Sequence, residues 1–174
     1  MKYFLLSIVI AIVMSACFTS QKTGKASYVI ISDTETKVLK GTLSRALIEN
    51  DTAFAWFKEN MRYGSADAFA VEQFKQKSAA FSVLIFAGTW CHDSQNLLPK
   101  FYRLVDKSGF PETKVTLIGV DRPKTAPNDL HLKWNIVSVP TFIILKNGKE
   151  AGRVVEYGKT GNMERELAEI VAGL

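Results

Sequence analysis

The chain has 174 residues, 47% of them apolar, and a formal charge of +5. That apolar content is enough for a buried core and excludes disorder of the whole chain, and the length suits one domain with an additional element. Basic residues alternate with acidic ones rather than forming a block, which argues against nucleic acid as a partner.

The chain opens with Met1 and Lys2, then a run from Tyr3 to Val13 that is apolar except for Ser7. The run is too short to cross a bilayer as a mature anchor and fits a secretory signal. Met14-Ser15-Ala16-Cys17 follows, with small residues just before the cysteine. This ending resembles a bacterial lipobox, in which the cysteine receives lipid and becomes the new N-terminus. The resemblance implies a signal peptide over 1–16, a lipid on Cys17 and a tether over 17–27. It also implies a cell-envelope location, anchored to a bacterial membrane and facing the periplasm or the exterior. With Cys17 acylated, Cys91 is the one thiol left, and a leftover cysteine in an exported protein points to intermolecular pairing or a reactive thiol.

Residues 28–65 read as an extension. Tyr28–Ile31 is β-rich, and Thr36–Leu39 is its expected partner. Thr42 or Ser44 caps a helix through Ile48, and Asp51 or Thr52 caps the next, with Phe54, Phe57 and Met61 at helical spacing. Tyr63-Gly64-Ser65 ends the pattern.

Residues 66–174 read as an α/β domain. Ser65 is the expected cap of a helix from Ala66 to Lys77 that buries Ala70 and Phe74. Phe81–Ala87 is a continuous apolar run of strand length, as expected for a strand covered on both faces. A helix from Ser94 to Lys107 carries Leu97, Phe101, Leu104 and Val105 on one face and contains Pro99. Lys114–Val120 is a second strand, Leu130–Trp134 a short helix and Thr141–Leu145 a third strand. Asn147-Gly148 is a two-residue hairpin turn leading to a return strand, Glu150–Glu156. Thr160–Leu174 is a final amphipathic helix with Met163, Leu167, Ile170, Val171 and Leu174 on one face. Alternation of strands and helices implies parallel pairing with helices on both faces, and the hairpin adds an antiparallel edge. Trp56 and Trp134 are expected in the core.

Phe86-Ala87-Gly88-Thr89-Trp90-Cys91-His92-Asp93-Ser94 resembles the active-site turn of the thioredoxin superfamily, in a Trp-Cys-x-Asp-Ser variant. Pro99, the segment Val139-Pro140-Thr141-Phe142 and the turn Asn147-Gly148 fall where that superfamily has its helix proline, its cis-proline segment and its closing hairpin. With the N-terminal extension, the pattern is similar to thioredoxin-family lipoproteins of Bacteroidetes-type bacteria. The resemblance implies a thioredoxin fold, with a central mixed sheet, helices on both faces and an N-terminal extension. It implies Cys91, His92, Asp93, Ser94 and Trp90 as catalytic residues. It further implies a cis Val139–Pro140 bond, with Val139, Pro140 and Thr141 binding substrate.

The chemistry can also be argued from the residues. The thiolate is the nucleophile in exchange. Cys91 precedes the first turn of a helix, where free N–H groups and the dipole favour an anion by about 0.3–1 kcal/mol. Asp93, two residues on, opposes a thiolate by a comparable amount, and Ser94 is expected to donate a hydrogen bond to the sulfur. His92 is a candidate proton carrier.

Two departures from the superfamily pattern matter. Ser94 stands at the second cysteine, so no internal disulfide forms. Ile85 stands where many members carry a buried acid, and Leu117 where its basic partner is usual. The expected function is monothiol thiol–disulfide exchange or isomerisation through a Cys91 mixed disulfide, on protein disulfides or thiols of the envelope, with an external thiol for release. The alternative is a non-catalytic peptide-binding module of the same fold. No cofactor is expected. No metal is expected either, because Cys91, His92 and Asp93 lack the usual ligand spacing. Asp121 and Arg122 follow the second strand at the same end as Cys91, where they are free to meet Asp93 or a partner.

Overall fold

The structure, a computed structural model, describes residues 27–32 and 36–174. The expected signal, the lipidation site Cys17 and nearly all of the tether lie outside the described residues.

Two strands, β1 (Ser27–Ser32) and β2 (Lys37–Leu43), are followed by α1 (Arg45–Glu49), a 3₁₀ turn (Thr52–Phe54) and α2 (Ala55–Asn60). Next come α3 (Ala68–Gln76), β3 (Ser82–Ala87), α4 (His92–Ser108) and β4 (Val115–Gly119). The chain ends with α5 (Leu130–Lys133), β5 (Thr141–Lys146), β6 (Lys149–Val155) and α6 (Met163–Ala172). The strands form one six-stranded mixed sheet in the order β1-β2-β4-β3-β5-β6.

The parallel pairing expected from alternation is confined to β3 and β4. β5 runs antiparallel to β3, and β2 antiparallel to β4. The β4–β5 connection contains only a 3₁₀ turn (Pro127–Asp129) and the four-residue α5, so it is no full helical crossover, and it returns the chain reversed. Every strand of the C-terminal part is as expected to within about two residues.

The apolar run of β3 explains the layering. Val83, Ile85 and Ala87 point into the larger core, with Phe57, Phe74, Leu97, Phe101, Phe142 and Leu167. Leu84 and Phe86 point the other way, into a smaller core with Ile118, Val120, Ile136, Val139 and Ile143. Successive strand residues face opposite sides, so a strand covered on both faces has no polar position to spare. Phe74, Phe81 and Phe110 pack at centroid distances of 4.7–5.4 Å. The extension shares this core: Phe57 of α2 is 0% exposed, and its ring lies 5.7 Å from that of Tyr102 on α4.

Several boundaries differ from the sequence expectation. Asp67, not Ser65, caps α3, accepting from the Ala70 amide at 2.9 Å. Helix α6 begins at Met163, not Thr160, with Asn162 as its cap, and Thr160 is tied to the Glu166 carboxylate by its amide (2.6 Å) and hydroxyl (2.8 Å). Helix α4 begins at His92, with Cys91 as its N-cap, and continues through the buried Pro99. Trp56 and Trp134 are half-buried at the margins of the two cores rather than inside them.

Candidate functional site

β3 delivers the chain at Ala87 to a tight turn in which the Cys91 amide donates to Gly88 O at 3.0 Å. A side chain is excluded at Gly88, because a Cβ there would lie 2.7 Å from the Trp90 indole. The indole itself is held by Nε1 donating to Val120 O at 3.1 Å, and the Arg122 guanidinium lies 5.5 Å from its ring centroid. Cys91 has the extended backbone of an N-cap (φ −89°, ψ 123°), and its carbonyl accepts the first helical bond, from Gln95 N, at 2.9 Å.

The Cys91 thiol is half-buried, and its Sγ donates to Val139 O at 3.2 Å. The Val139–Pro140 bond is cis. This loop is fixed from behind: Pro140 O accepts from Glu156 N at 2.7 Å, and Thr141 Oγ1 donates to Ser138 O at 2.7 Å. Val139, Pro140 and Thr141 are all buried, so what faces the thiol is mainly backbone. The sequence-predicted residues Trp90, Cys91, Val139 and Pro140 therefore meet at one place.

His92 is exposed and Asp93 is half-buried, and neither side chain makes a hydrogen bond or ion pair among the described residues. Ser94 departs from expectation. It is 0% exposed, and its Oγ accepts from Gly88 N at 3.2 Å rather than bonding the sulfur. In the first turn of α4 its side chain points inward, where the buried Gly88 amide needs an acceptor. Ile85 and Leu117 are direct cross-strand partners, 0% and 1% exposed, and lie in the larger core, whereas Cys91 packs against the smaller one.

Asp121 does not approach Asp93. Its carboxylate accepts from Lys40 Nζ at 2.7 Å and from Thr125 N at 2.7 Å, and Lys40 Nζ also meets Thr125 Oγ1. Burial works to raise the Asp121 carboxyl, but the hydrogen bonds from Lys40 and Thr125 outweigh it and hold the group below the usual carboxylate range.

Sequence reasoning missed Thr89. It is 3% exposed, its hydroxyl accepts from Leu39 N at 3.1 Å and donates to Lys37 O at 3.0 Å, and its carbonyl accepts from Gln95 Nε2 at 2.9 Å. The sequence signal was slight: a hydroxyl residue beside Trp-Cys, with nothing to indicate a partner some fifty residues earlier. Among the described residues, no group of three or more His, Cys, Asp or Glu side chains is placed to hold a metal ion. No helix among them is long and apolar enough to cross a membrane.

Residues 65–169 match the family model for thioredoxin. The chain is 33% identical over 94 residues to a TPR repeat-containing thioredoxin of Arabidopsis thaliana, covering 54% of this chain and 23% of that protein. It is 33% identical over 87 residues to an H-type thioredoxin of Picea mariana, covering 50% of this chain and 64% of that one. The chain thus spans less than two-thirds of either relative. Among solved structures, an HIV epitope scaffold superposes with a TM-score of 0.53 at 17% identity, covering 74% of this chain and 91% of that one. Fasciola hepatica thioredoxin superposes with a TM-score of 0.41 at 24% identity, covering 59% and 88%. The match over 65–169 takes in the strand-to-helix turn bearing Cys91 and the cis-proline loop facing it, and by that match the chain belongs to the thioredoxin family.

Proposed function

We propose that this chain is a monothiol thiol–disulfide exchange protein of the cell envelope, lipid-anchored at Cys17 and acting through a mixed disulfide at Cys91. One observation carries the reading: a reachable thiol at a helix N-terminus lies 3.2 Å from the carbonyl preceding a cis-proline.

The Cys91 thiolate attacks one sulfur of a target disulfide, forming a Cys91–target bond and releasing the other target sulfur as a thiolate. An external thiolate then attacks the mixed disulfide and takes over the target sulfur, and Cys91 leaves as a thiolate. One S–S bond forms for each that breaks, so the chain carries no net electrons. Ser94 has no sulfur to perform the second attack. An internal thiol would act at an effective concentration of order 10⁵ M or more, which no millimolar external thiol approaches, so the mixed disulfide is long-lived.

The Sγ–Val139 O bond exists only while the sulfur carries a proton. Ionisation frees the carbonyl to pair with an extended target segment across the groove. Ile85 and Leu117 stand where many members of the family carry an acid and its basic partner, so neither position takes that proton, and His92, exposed at the helix start, is the residue proposed to pass it to solvent. The Cys17 anchor rests on Met14-Ser15-Ala16-Cys17 following an apolar run. Ser27 lies ten positions after Cys17, a reach of at most about 35 Å.

The test is to recover the full chain from an oxidising envelope without reductant and look for disulfide-linked adducts. Adducts that vanish in Cys91→Ser support the reading. Their absence, with partners still bound non-covalently by Cys91→Ser, would identify a peptide-binding module instead. Fatty-acid labelling that survives Cys17→Ser would remove the anchor.

A further inference from the structure

We propose that Thr89 is a positioning residue through which the N-terminal extension holds the Cys91 turn against the Val139–Pro140 loop. The extension then belongs to the thiol site and is no separable appendage. The proposal rests on the exchange reading above for its consequence, but not for its geometry.

β2 pairs with β4 only over Gly41–Leu43. Lys37 O and Leu39 N, two residues apart and so on the same edge of β2, lie beyond the end of that ladder. The Thr89 hydroxyl meets both, donating to the first at 3.0 Å and accepting from the second at 3.1 Å. A hydroxyl supplies one donor and accepts at its lone pairs, so it can make the pair of bonds a neighbouring strand's peptide groups would make. Thr89 thus continues the sheet by one side chain and ties the turn after β3 to the extension. The close approach of β2 is independently recorded at Gly119, where a Cβ would lie 2.3 Å from Leu39 O.

A second link closes the other flank. Thr89 O accepts from Gln95 Nε2 at 2.9 Å, and Gln95 O accepts from Asn60 Nδ2, at the end of α2, at 3.0 Å. Cys91 therefore stands between two residues, Thr89 and Gln95, that are each bonded directly to the extension. The facing wall, Val139–Pro140, is fixed by β5 and β6 instead. The 3.2 Å separation of Sγ from Val139 O depends on both walls, and the extension holds one of them.

Thr89→Val keeps the side-chain shape and removes both hydroxyl bonds, whereas Thr89→Ser keeps both. Asn60→Ala cuts the second link and serves if Thr89→Val does not fold. Native-state amide exchange reads the geometry directly: in Thr89→Val the Cys91 and Gln95 amides should exchange about tenfold faster or more, with the β5–β6 amides unchanged. Mixed-disulfide formation with a model peptide disulfide should slow about tenfold or more, because misplacement of about 1 Å is enough for that. Alkylation by iodoacetamide, which needs no groove, should change far less, and Thr89→Ser should restore the peptide rate. Asn60→Ala should give the same pattern more weakly. A folded Thr89→Val with parental amide exchange and peptide rate overturns the proposal, as does failure of Thr89→Ser to restore them. If the parent chain itself forms no mixed disulfide, the exchange reading fails, and the amide measurement still decides the structural link.

Discussion

Glu164, the second residue of α6, is a carboxylate in the wrong solvent. It is 8% exposed; Oε2 accepts from Asp67 N at 3.1 Å, while Oε1 is buried with no hydrogen-bond partner. Burial raises its carboxyl above the ordinary value, and the opposing pull of the Asp67 amide, Arg103 and Lys100 does not cancel that effect. The folded state therefore holds this proton more tightly than the unfolded chain, so the contribution to stability is full below the unfolded value and is lost as pH rises through the raised one. Glu164→Gln keeps an acceptor for the Asp67 amide and removes the charge. An unsatisfied buried group costs about 1–3 kcal/mol and more when it is charged; the Gln Nε2 takes the unpartnered place of Oε1, so the variant relieves only the extra cost of the charge, and the nearby cations and the helix N-terminus offset part of that. Glu164→Gln should thus stabilise the protein by about 1 kcal/mol at neutral pH, or about 2–4 °C in Tm. Near pH 4, below the ordinary carboxyl value, the gain should shrink toward zero. Thermal unfolding followed by circular dichroism at both pH values makes the comparison. A neutral-pH Tm below that of the parent, or a difference independent of pH, would refute the reasoning.

Asp121 should behave with the opposite sign: its carboxyl is held low, so its contribution is present above the ordinary aspartate range and lost as pH falls through the depressed value. Asp121→Asn should cost about 1–2 kcal/mol at neutral pH, and the cost should fade in acid, as read from denaturant midpoints at a series of pH values. Phe57→Ala should cost about 3–5 kcal/mol although it lies outside the matched family region, because the ring is fully buried against Tyr102; a urea titration giving under about 1 kcal/mol would show that the extension packs loosely. Gly119→Ala should destabilise by about 1–3 kcal/mol, since the new methyl meets backbone that cannot swing aside, and the amides of β2 should lose hydrogen-exchange protection first.

Much of the fold was legible because its signals are local. The β3 run lacks polar positions because both faces are covered, and the Asn147-Gly148 turn and the α6 face follow from turn chemistry and helical period. The site was legible through Trp90–Cys91 and Val139–Pro140, which the family resemblance brings together and which meet in the fold. What stayed hidden depends on partners distant in sequence. Ser65 and Asp67 are equally good caps in isolation; the choice of Asp67 goes with Glu164 and Arg165, which reach it from α6, Arg165 Nη2 at 3.0 Å. Ser94 looked like a donor to the neighbouring sulfur until the fold presented it with the Gly88 amide. The edge of β2 that engages Thr89 is set by where the β2–β4 ladder stops, and strand periodicity carries no record of that.

The central claim is most directly tested by mixing the reduced full chain with a model peptide disulfide and following intact mass over time, with the linkage located by fragmentation. The account predicts one peptide joined through Cys91, stable until a small thiol is added and absent in Cys91→Ser. A protein that acquires no adduct at Cys91, or an adduct that disappears with no added thiol, would contradict it.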